Sequence, residues 1–159
     1  MNEPDWSSWV PKERASLCFV IREGRILLIE KKRGLGAGKV NGPGGRCLEG
    51  ESTVDCARRE TIEEVGVTPL GLAHAGELHF QFVDGYSLHC AVFTATDCEG
   101  TLIETDEAKP FWTATKEIPF DRMWKDDSLW IPWMLEGRPF KCFCHFDGDL
   151  RLSGRMEAA

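Results

Sequence analysis

The sequence of 159 residues lacks the features by which several large classes of protein are recognised. No apolar run is long enough to span a bilayer, and the N-terminus has no charged-then-apolar signal pattern. We therefore expect a cytoplasmic protein with no membrane partner. No G-K-[ST] accompanies the glycine-rich stretch RGLGAG at 33–38, which excludes a P-loop. No repeat or low-complexity segment occurs, and a hydrophobic content of 42% excludes disorder as the main state.

Paired cysteine motifs are also missing. The chain has seven cysteines, an odd number, and no C-x-x-C. Cys142 and Cys144 are two apart, so on a strand both side chains would share one face, which is a poor zinc signature. The cysteines are predicted to be reduced thiols of a cytoplasmic chain.

Positive charge is scarce overall. The formal net charge of −7 argues against a nucleic-acid polymer as the ligand. The charge is uneven, however, because the stretch 31–48 contains no acid. Its cations could meet the phosphates of a small ligand, or they could form a solvated basic loop. They are Lys31, Lys32, Arg33, Lys39 and Arg46.

The most informative stretch is 45–67, GRCLEGESTVDCARRETIEEVGV, which predicts a helix over 53–65. Ser52 can act as N-cap, with Asp55 three residues on in a capping-box pattern. Gly66 is placed to end the helix. Four residues at helical spacing predict the buried stripe: Val54, Ala57, Thr61 and Val65.

Three carboxylates on this helix share one face. Glu60, Glu63 and Glu64 fall at i, i+3 and i+4, where like charges repel one another. A bound divalent cation would turn that repulsion into attraction, and carboxylate oxygens suit Mg²⁺ or Mn²⁺. Arg59 could orient one carboxylate through its planar guanidinium. The alternative is a solvated acidic helix face without a ligand.

The spacing of the stretch resembles the Nudix box, G-x5-E-x7-R-E-U-x-E-E-x-G-U, in which U is aliphatic. One position departs from it, since Thr61 stands where an aliphatic residue is usual. The resemblance implies a hydrolase of nucleoside diphosphates linked to another moiety. It implies that Glu60, Glu63 and Glu64 bind the metal, with help from the carbonyl of Gly44. The matching residues are Gly45, Glu51, Arg59, Glu60, Glu63, Glu64, Gly66 and Val67.

The remaining chain predicts one α/β domain over 1–159, with residues 1–13 as an N-terminal arm. We expect an α/β/α sandwich, in which a mixed sheet has the Nudix-box helix on one side and a C-terminal helix on the other. Asp84-Gly85 is a type I′ hairpin signal. The C-terminal helix starts at Asp126 or Asp127 and runs through Leu135, and Pro132 should kink it or confine it to short turns. Strands are predicted at 16–22, 26–30, 46–48, 78–83, 86–95, 111–114, 140–146 and 150–152.

Three further stretches, 31–45, 104–110 and 118–132, resemble a subgroup of the Nudix family that hydrolyses oxidised purine nucleoside triphosphates. The departures are Val40, Pro43 and Lys125, and they leave the exact base open. By this resemblance Glu107 is a further carboxylate at the metal site, and Lys31 lies near the pocket floor or the ligand. The resemblance also places Asn41, Asp126 and Asp127 on the purine edges, and Trp124 on one face of the base with Phe80 and Phe82 opposite.

The adjacent pair Asp126 and Asp127 has the chemistry for reading a base. Partly desolvated carboxyls that repel each other can leave one protonated near neutral pH, so that one donates while the other accepts. The alternatives are that either aspartate is only an N-cap and that Trp124 is ordinary core packing.

The reaction implied by these resemblances is hydrolysis of a triphosphate to the monophosphate and pyrophosphate. The expected substrate is 8-oxo-dGTP, with 2-hydroxy-dATP second, acted on by a monomer that removes damaged nucleotides. The general base is left open among Glu63, Glu64 and Glu107. Two other readings stay open: a Nudix hydrolase of ADP-ribose or a dinucleoside polyphosphate, and a non-catalytic domain that binds oxidised guanine.

Overall fold

The computed structural model describes residues 3–159, so the first two residues of the predicted arm lie outside it. The elements, in chain order, are β1 (Glu13–Arg22), β2 (Arg25–Lys31), β3 (Val40–Asn41), β4 (Gly44–Arg46), α1 (Thr53–Val65), β5 (Val67–Leu70), β6 (Ala73–Phe82), β7 (Ser87–Ala95), β8 (Asp97–Gly100), β9 (Ala108–Ala114), a 3₁₀ turn (Phe120–Arg122), α2 (Asp127–Leu135), β10 (Phe140–Asp147) and β11 (Leu150–Ala158). No helix among the described residues is long and apolar enough to cross a bilayer.

A mixed nine-stranded sheet forms the centre, in the order β11-β10-β6-β7-β1-β2-β3, with β4 added on β1 and β9 on β2. The pairs β1–β7 and β10–β6 are parallel, and the other pairs of this sheet are antiparallel. Strand β1 joins the two halves of this sheet, because it lies between β7 and β2. It pairs with β7 over 13–20, with β4 over 15–17, and with β2 only at Ile21 and Arg22.

The two helices pack on opposite faces of this sheet, which confirms the expected sandwich. Ala57 and Val65 of α1 lie in one buried cluster with Val20 of β1. Trp130 and Ile131 of α2 lie in the other cluster. Successive side chains of a strand point to opposite faces, so β1 supplies both cores from alternate positions.

Helix α1 begins and ends where the sequence predicts. The hydroxyl of Ser52 accepts the backbone N–H of Asp55 at 3.2 Å. Gly66 closes the helix at φ 78, a left-handed conformation that glycine adopts without a Cβ penalty. Thr61 is fully buried, and its hydroxyl donates to the carbonyl of Ala57 at 2.7 Å. That bond explains how a polar residue occupies the aliphatic position of the box.

Two local predictions need correction. Helix α2 continues through Pro132 as one nine-residue helix instead of breaking into short turns. Pro132 lacks the N–H that would donate to the carbonyl of Ser128, so it removes one intrahelical hydrogen bond, and the helix continues only to Leu135 beyond it. The 83–86 connection is a hairpin, but not type I′, because Gly85 has a positive φ and Asp84 does not.

Some elements are absent from the sequence-based prediction. Strands β5 and β8 form a separate antiparallel pair, and β11 runs to Ala158 rather than stopping at 152. The described part of the N-terminal arm packs on the sheet. The rings of Trp6 and Phe143 meet edge-on with their centroids 5.3 Å apart, and those of Trp9 and His79 meet with their centroids 5.5 Å apart.

Candidate functional site

Three carboxylates from distant parts of the chain meet at one end of the molecule. Ligand oxygens of Glu60, Glu64 and Glu107 all lie within 4.8 Å of one another. Helix α1 supplies the first two, one turn apart. Glu107 comes from the connection before β9, where its carbonyl accepts the N–H of Lys32 at 2.9 Å. The carboxylates predicted from one helix face are therefore joined by a residue more than forty positions away.

Burial makes this cluster costly without a cation. Glu64 is only 4% exposed, and burial raises the pKa of its carboxyl to about 8. Burial also raises the pKa of Glu60 above its ordinary value, although Arg59 opposes that shift. A divalent cation would restore the ionised forms, and an all-oxygen donor set suits Mg²⁺ or Mn²⁺. The residues present therefore fit the cation that the sequence predicts.

The double glycine Gly44-Gly45 at the start of the box brings the strand and the helix together. A Cβ on Gly45 would lie 2.5 Å from the carboxyl carbon of Glu60, and one on Gly44 would lie 2.1 Å from the carbonyl of Ser16. Only glycine permits this approach. As a result the N–H of Gly44 donates to Glu64 at 3.4 Å, and the backbone of Gly44 lines the same space as the carboxylates.

Arg59 orients several of these acids through hydrogen bonds. Its Nε and one terminal nitrogen bind both oxygens of Glu51 at 2.7 and 2.9 Å, and this pairing holds the pKa of Glu51 at about 2. Its other terminal nitrogen donates to Glu60 at 2.8 Å and to Glu63 at 3.2 Å. The guanidinium thus sets the direction of three carboxylates at once.

Glu63 differs from the two glutamates beside it. Its side chain is 56% exposed, and its carboxylate is not among the three that cluster within 4.8 Å. It nonetheless lines the same cleft. The structure thus places Glu63 at the mouth of the site.

A single cleft of about 790 Å³ connects the carboxylates with the predicted base-binding residues. All the residues predicted from the sequence to bind substrate line it, together with the predicted metal ligands. The predicted substrate-binding residues are Lys31, Asn41, Phe80, Phe82, Trp124, Asp126 and Asp127, and the predicted metal ligands are Gly44, Glu60, Glu63, Glu64 and Glu107.

Asp126 and Asp127 are fully buried at the inner end of this cleft. One oxygen of Asp126 accepts the indole N–H of Trp130 at 2.8 Å. Among the described residues, the other oxygen of Asp126 and one oxygen of Asp127 have no hydrogen-bond partner. Burial raises the pKa of Asp126 to about 6 and that of Asp127 well above its ordinary value. Neither carboxyl caps α2, so the N-cap alternative is wrong for Asp126, the capping position.

Aromatic rings form one wall beside these acids. The ring of Trp124 meets those of Phe146 and Phe82 edge-on, with centroid distances of 5.4 Å and 6.0 Å. The indole is half-buried, packs against the core and also lines the cleft. Gly36 lies against it, because a Cβ there would come within 2.8 Å of the indole nitrogen. The glycine-rich loop therefore supports Trp124 from outside.

The basic stretch divides between the two ends of the cleft. Arg33 pairs with Glu107 at 3.1 Å, and Arg46 pairs with Glu13 at 3.1 Å, and both line the cleft. Lys39 does not line it. Its ammonium lies 5.3 Å over the Trp124 ring and 3.3 Å from Asp149. The sequence analysis offered Lys39 as a phosphate contact, and the structure corrects this by placing it beside the Trp124 ring instead.

Among the site residues that the sequence reasoning missed, two act on the predicted base-binding residues. Phe146 lines the cleft beside Trp124, and Trp130 fixes the Asp126 carboxyl. The period-2 pattern of β10 places Phe146 on a core face but cannot tell that the face borders a cleft. Trp130 lies four residues after Asp126, a spacing that a helix turns into a contact and that is readable in retrospect.

Comparison with known proteins agrees with this geometry. Residues 11–134 match the NUDIX domain. An oxidized purine nucleoside triphosphate hydrolase of Danio rerio is 42% identical over 134 residues, which is 84% of this chain and 86% of the relative. The protein of the same name from Mus musculus is 40% identical over 126 residues, covering 79% of this chain and 81% of the relative.

Solved structures lead to the same family. The crystal structure of mMutator MutT protein from Bacillus halodurans matches with a TM-score of 0.81 and 26% identity, over 91% of this chain and 97% of that chain. The MutT NUDIX hydrolase from Burkholderia pseudomallei matches with a TM-score of 0.63 and 26% identity, over 67% of this chain and 86% of that chain. The domain match spans most of the chain and includes both ends of the cleft, and the chain belongs to the Nudix family.

Proposed function

We propose that this chain hydrolyses oxidised purine nucleoside triphosphates, such as 8-oxo-dGTP and 2-hydroxy-dATP, to the monophosphate and pyrophosphate. The observation that carries the proposal is the pair Asp126 and Asp127, buried with unpartnered oxygens in the same cleft as the carboxylate cluster. The similarity to relatives named oxidized purine nucleoside triphosphate hydrolase supports the same substrate class. The cellular role would be removal of damaged nucleotides from a cytoplasmic pool.

At the acidic end, Glu60, Glu64 and Glu107 would hold Mg²⁺, with the backbone of Gly44 beside them. The bound cation would neutralise charge that develops on the phosphate oxygens. Arg59 keeps Glu60 and Glu63 in position through its hydrogen bonds. Arg33 and Arg46 line this part of the cleft and would attract the triphosphate.

At the inner end, the two aspartates would read the purine by hydrogen bonds. The indole N–H of Trp130 stabilises the ionised form of Asp126. Burial raises the pKa of Asp127 well above its ordinary value, so Asp127 would hold a proton and donate it to a base oxygen or nitrogen. Asp126 then accepts an N–H. An oxidised purine offers a donor at a ring position where the normal base has none, so this pattern distinguishes the two. Asn41 would add a further contact, and Trp124 would stack on the ring.

The test is a panel of nucleotides assayed by pyrophosphate release with Mg²⁺ present. It contains 8-oxo-dGTP, 2-hydroxy-dATP, dGTP, dATP, ADP-ribose and a dinucleoside polyphosphate. Phosphate release from the last two is followed after phosphatase treatment. We expect kcat/KM for an oxidised triphosphate to exceed that for its normal counterpart by roughly tenfold or more, since one lost polar partner costs about 1–3 kcal/mol.

Two results would contradict the proposal. Faster turnover of ADP-ribose or the dinucleoside polyphosphate would assign the cleft to another nucleoside diphosphate derivative. Binding of 8-oxo-dGTP without turnover would make the chain a non-catalytic binder. The clustered acids argue against that second outcome, because a binding domain gains nothing from three carboxylates held within 4.8 Å.

A further inference from the structure

A second group of ligating side chains lies within the Nudix box, apart from the carboxylate cluster. One ligand atom each of Cys47, Glu51 and Cys56 lies within 4.8 Å of the others. Cys47 follows β4 and is half-buried, whereas Cys56 is fully buried near the start of α1. Of the three, the Nudix pattern specifies only Glu51. Both thiols occupy positions that the pattern leaves free, so the group is a property of this chain.

The donor types distinguish this group from the carboxylate cluster. Two thiols and one carboxylate suit Zn²⁺ and other thiophilic cations, whereas the all-oxygen cluster suits Mg²⁺. In a tetrahedral zinc site with Zn–S bonds of about 2.3 Å, the two sulfurs lie ~3.8 Å apart. The sulfurs here are within 4.8 Å. Side-chain movements of about 1 Å or less would therefore complete the site, with water as the fourth ligand.

Glu51 connects the two groups. Both of its oxygens hold Arg59, and Arg59 in turn holds Glu60 and Glu63. A cation bound to Glu51 would compete with the guanidinium for those oxygens. Arg59 would then lose its bidentate partner, and the orientation of Glu60 at the carboxylate cluster would be lost with it.

We propose that Cys47, Glu51 and Cys56 form a second, inhibitory site for a thiophilic divalent cation of the Zn²⁺ class. Binding would replace the two thiol protons, with one Zn²⁺ taken up and two H⁺ released. Burial, together with the Cys47 thiol beside it, raises the pKa of Cys56 to about 12, so affinity should rise with pH. The inhibitory half of this proposal rests on the proposed function, and the binding half does not.

Cadmium is the direct probe of binding, because thiolate coordination to Cd²⁺ produces an ultraviolet charge-transfer band that carboxylates do not. The intact chain is titrated with Cd²⁺ in saturating Mg²⁺, beside Cys47→Ser and Cys98→Ser. Cys98 is also half-buried, but it lies on β8 outside the group, so it is the matched control. Thermal melts establish that each variant is folded.

We expect one Cd²⁺ per chain with the thiolate band in the wild type and in Cys98→Ser. Cys47→Ser should bind at least tenfold more weakly at this site. An absent band in the wild type, or equal binding by Cys47→Ser, would overturn the site.

Inhibition is measured separately, by titrating Zn²⁺ at saturating Mg²⁺ against the nucleotide that the panel identifies. The wild type and Cys98→Ser should lose activity at Zn²⁺ concentrations that leave Cys47→Ser active. Equal inhibition of all three chains would place Zn²⁺ at the carboxylate cluster and refute the coupling. A chain that hydrolyses nothing in the panel would refute the proposed function, while the cadmium band still decides the site.

Discussion

Replacing Glu64 by Gln should change how the stability of the metal-free protein depends on pH. Burial raises the pKa of this carboxyl from 4.5 to about 8. Between those values the native state holds a proton that the unfolded chain has released. The free energy of unfolding therefore falls as pH rises. At about 1.4 kcal/mol per pH unit, the loss between about pH 5 and pH 8 is roughly 3–4 kcal/mol.

The Gln variant lacks the titrating group and so escapes this loss. Its side-chain carbonyl can still accept the N–H of Gly44, which donates to Glu64 in the wild type. In a chelator, the variant should thus gain about 3 kcal/mol over the wild type as pH rises from about 5 to 8, or about 10 °C in Tm. Other buried acids, such as Asp126 and Asp127, are common to both proteins and cancel in the difference. Turnover should fall by orders of magnitude.

The assay is urea unfolding at several pH values with chelator and again with Mg²⁺. Glu63→Gln is the matched control, because it removes a carboxyl from the same helix but one whose side chain is 56% exposed. Mg²⁺ should stabilise the wild type more than Glu64→Gln at high pH, since the cation favours the ionised carboxylate. Parallel pH profiles for the wild type and Glu64→Gln would refute the reasoning, as would full activity in excess chelator.

Three further changes address the cleft. Asp126→Asn or Asp127→Asn should weaken the binding of 8-oxo-dGTP about ten- to hundredfold relative to dGTP, because an unpaired polar group costs about 1–3 kcal/mol. Asp121→Asn, at an exposed position, is the control and should leave this preference unchanged. An unchanged preference for the Asp126 and Asp127 variants in binding assays would show that these aspartates do not recognise the base. Gly36→Ala should displace Trp124 and raise Kd for all purines alike, as Trp124→Ala should. Gly38→Ala is the control for backbone strain, because Gly38 has a similar φ of +88 but a Cβ there meets nothing within 4 Å. Equal effects of Gly36→Ala and Gly38→Ala would refute the contact between Gly36 and Trp124. Arg33→Ala and Arg46→Ala should raise KM for a triphosphate more than they weaken the binding of a base analogue without phosphates. Lys39→Ala, beside Trp124, should not affect the triphosphate more than the analogue. If only Lys39→Ala affected the triphosphate more, the phosphates would have to be placed near Lys39 instead.

The local elements of the active centre were readable from the sequence because they depend on spacing along one chain segment. Ser52 caps the start of α1 and Gly66 caps its end, each through a hydrogen bond to a residue three or four positions away. Glu60 and Glu64 share a face because a helix turns once every 3.6 residues. The sandwich followed from the alternation of strands and helices. The β5–β8 pair was missed and β11 was predicted too short, because their strand patterns are short or polar.

What the tertiary structure alone decided is which of these residues meet, and what surrounds them. Glu63 is exposed and Glu64 is buried, although both carry the same helical signal, because only one of them turns toward β4. The unpartnered oxygens of Asp126 and Asp127 depend on how α2 packs across β10, and the place of Lys39 beside Trp124 depends on the turn of the glycine-rich loop. Burial and desolvation are properties of the assembled fold, so the pKa shifts that give the site its chemistry could not be read from residue spacing.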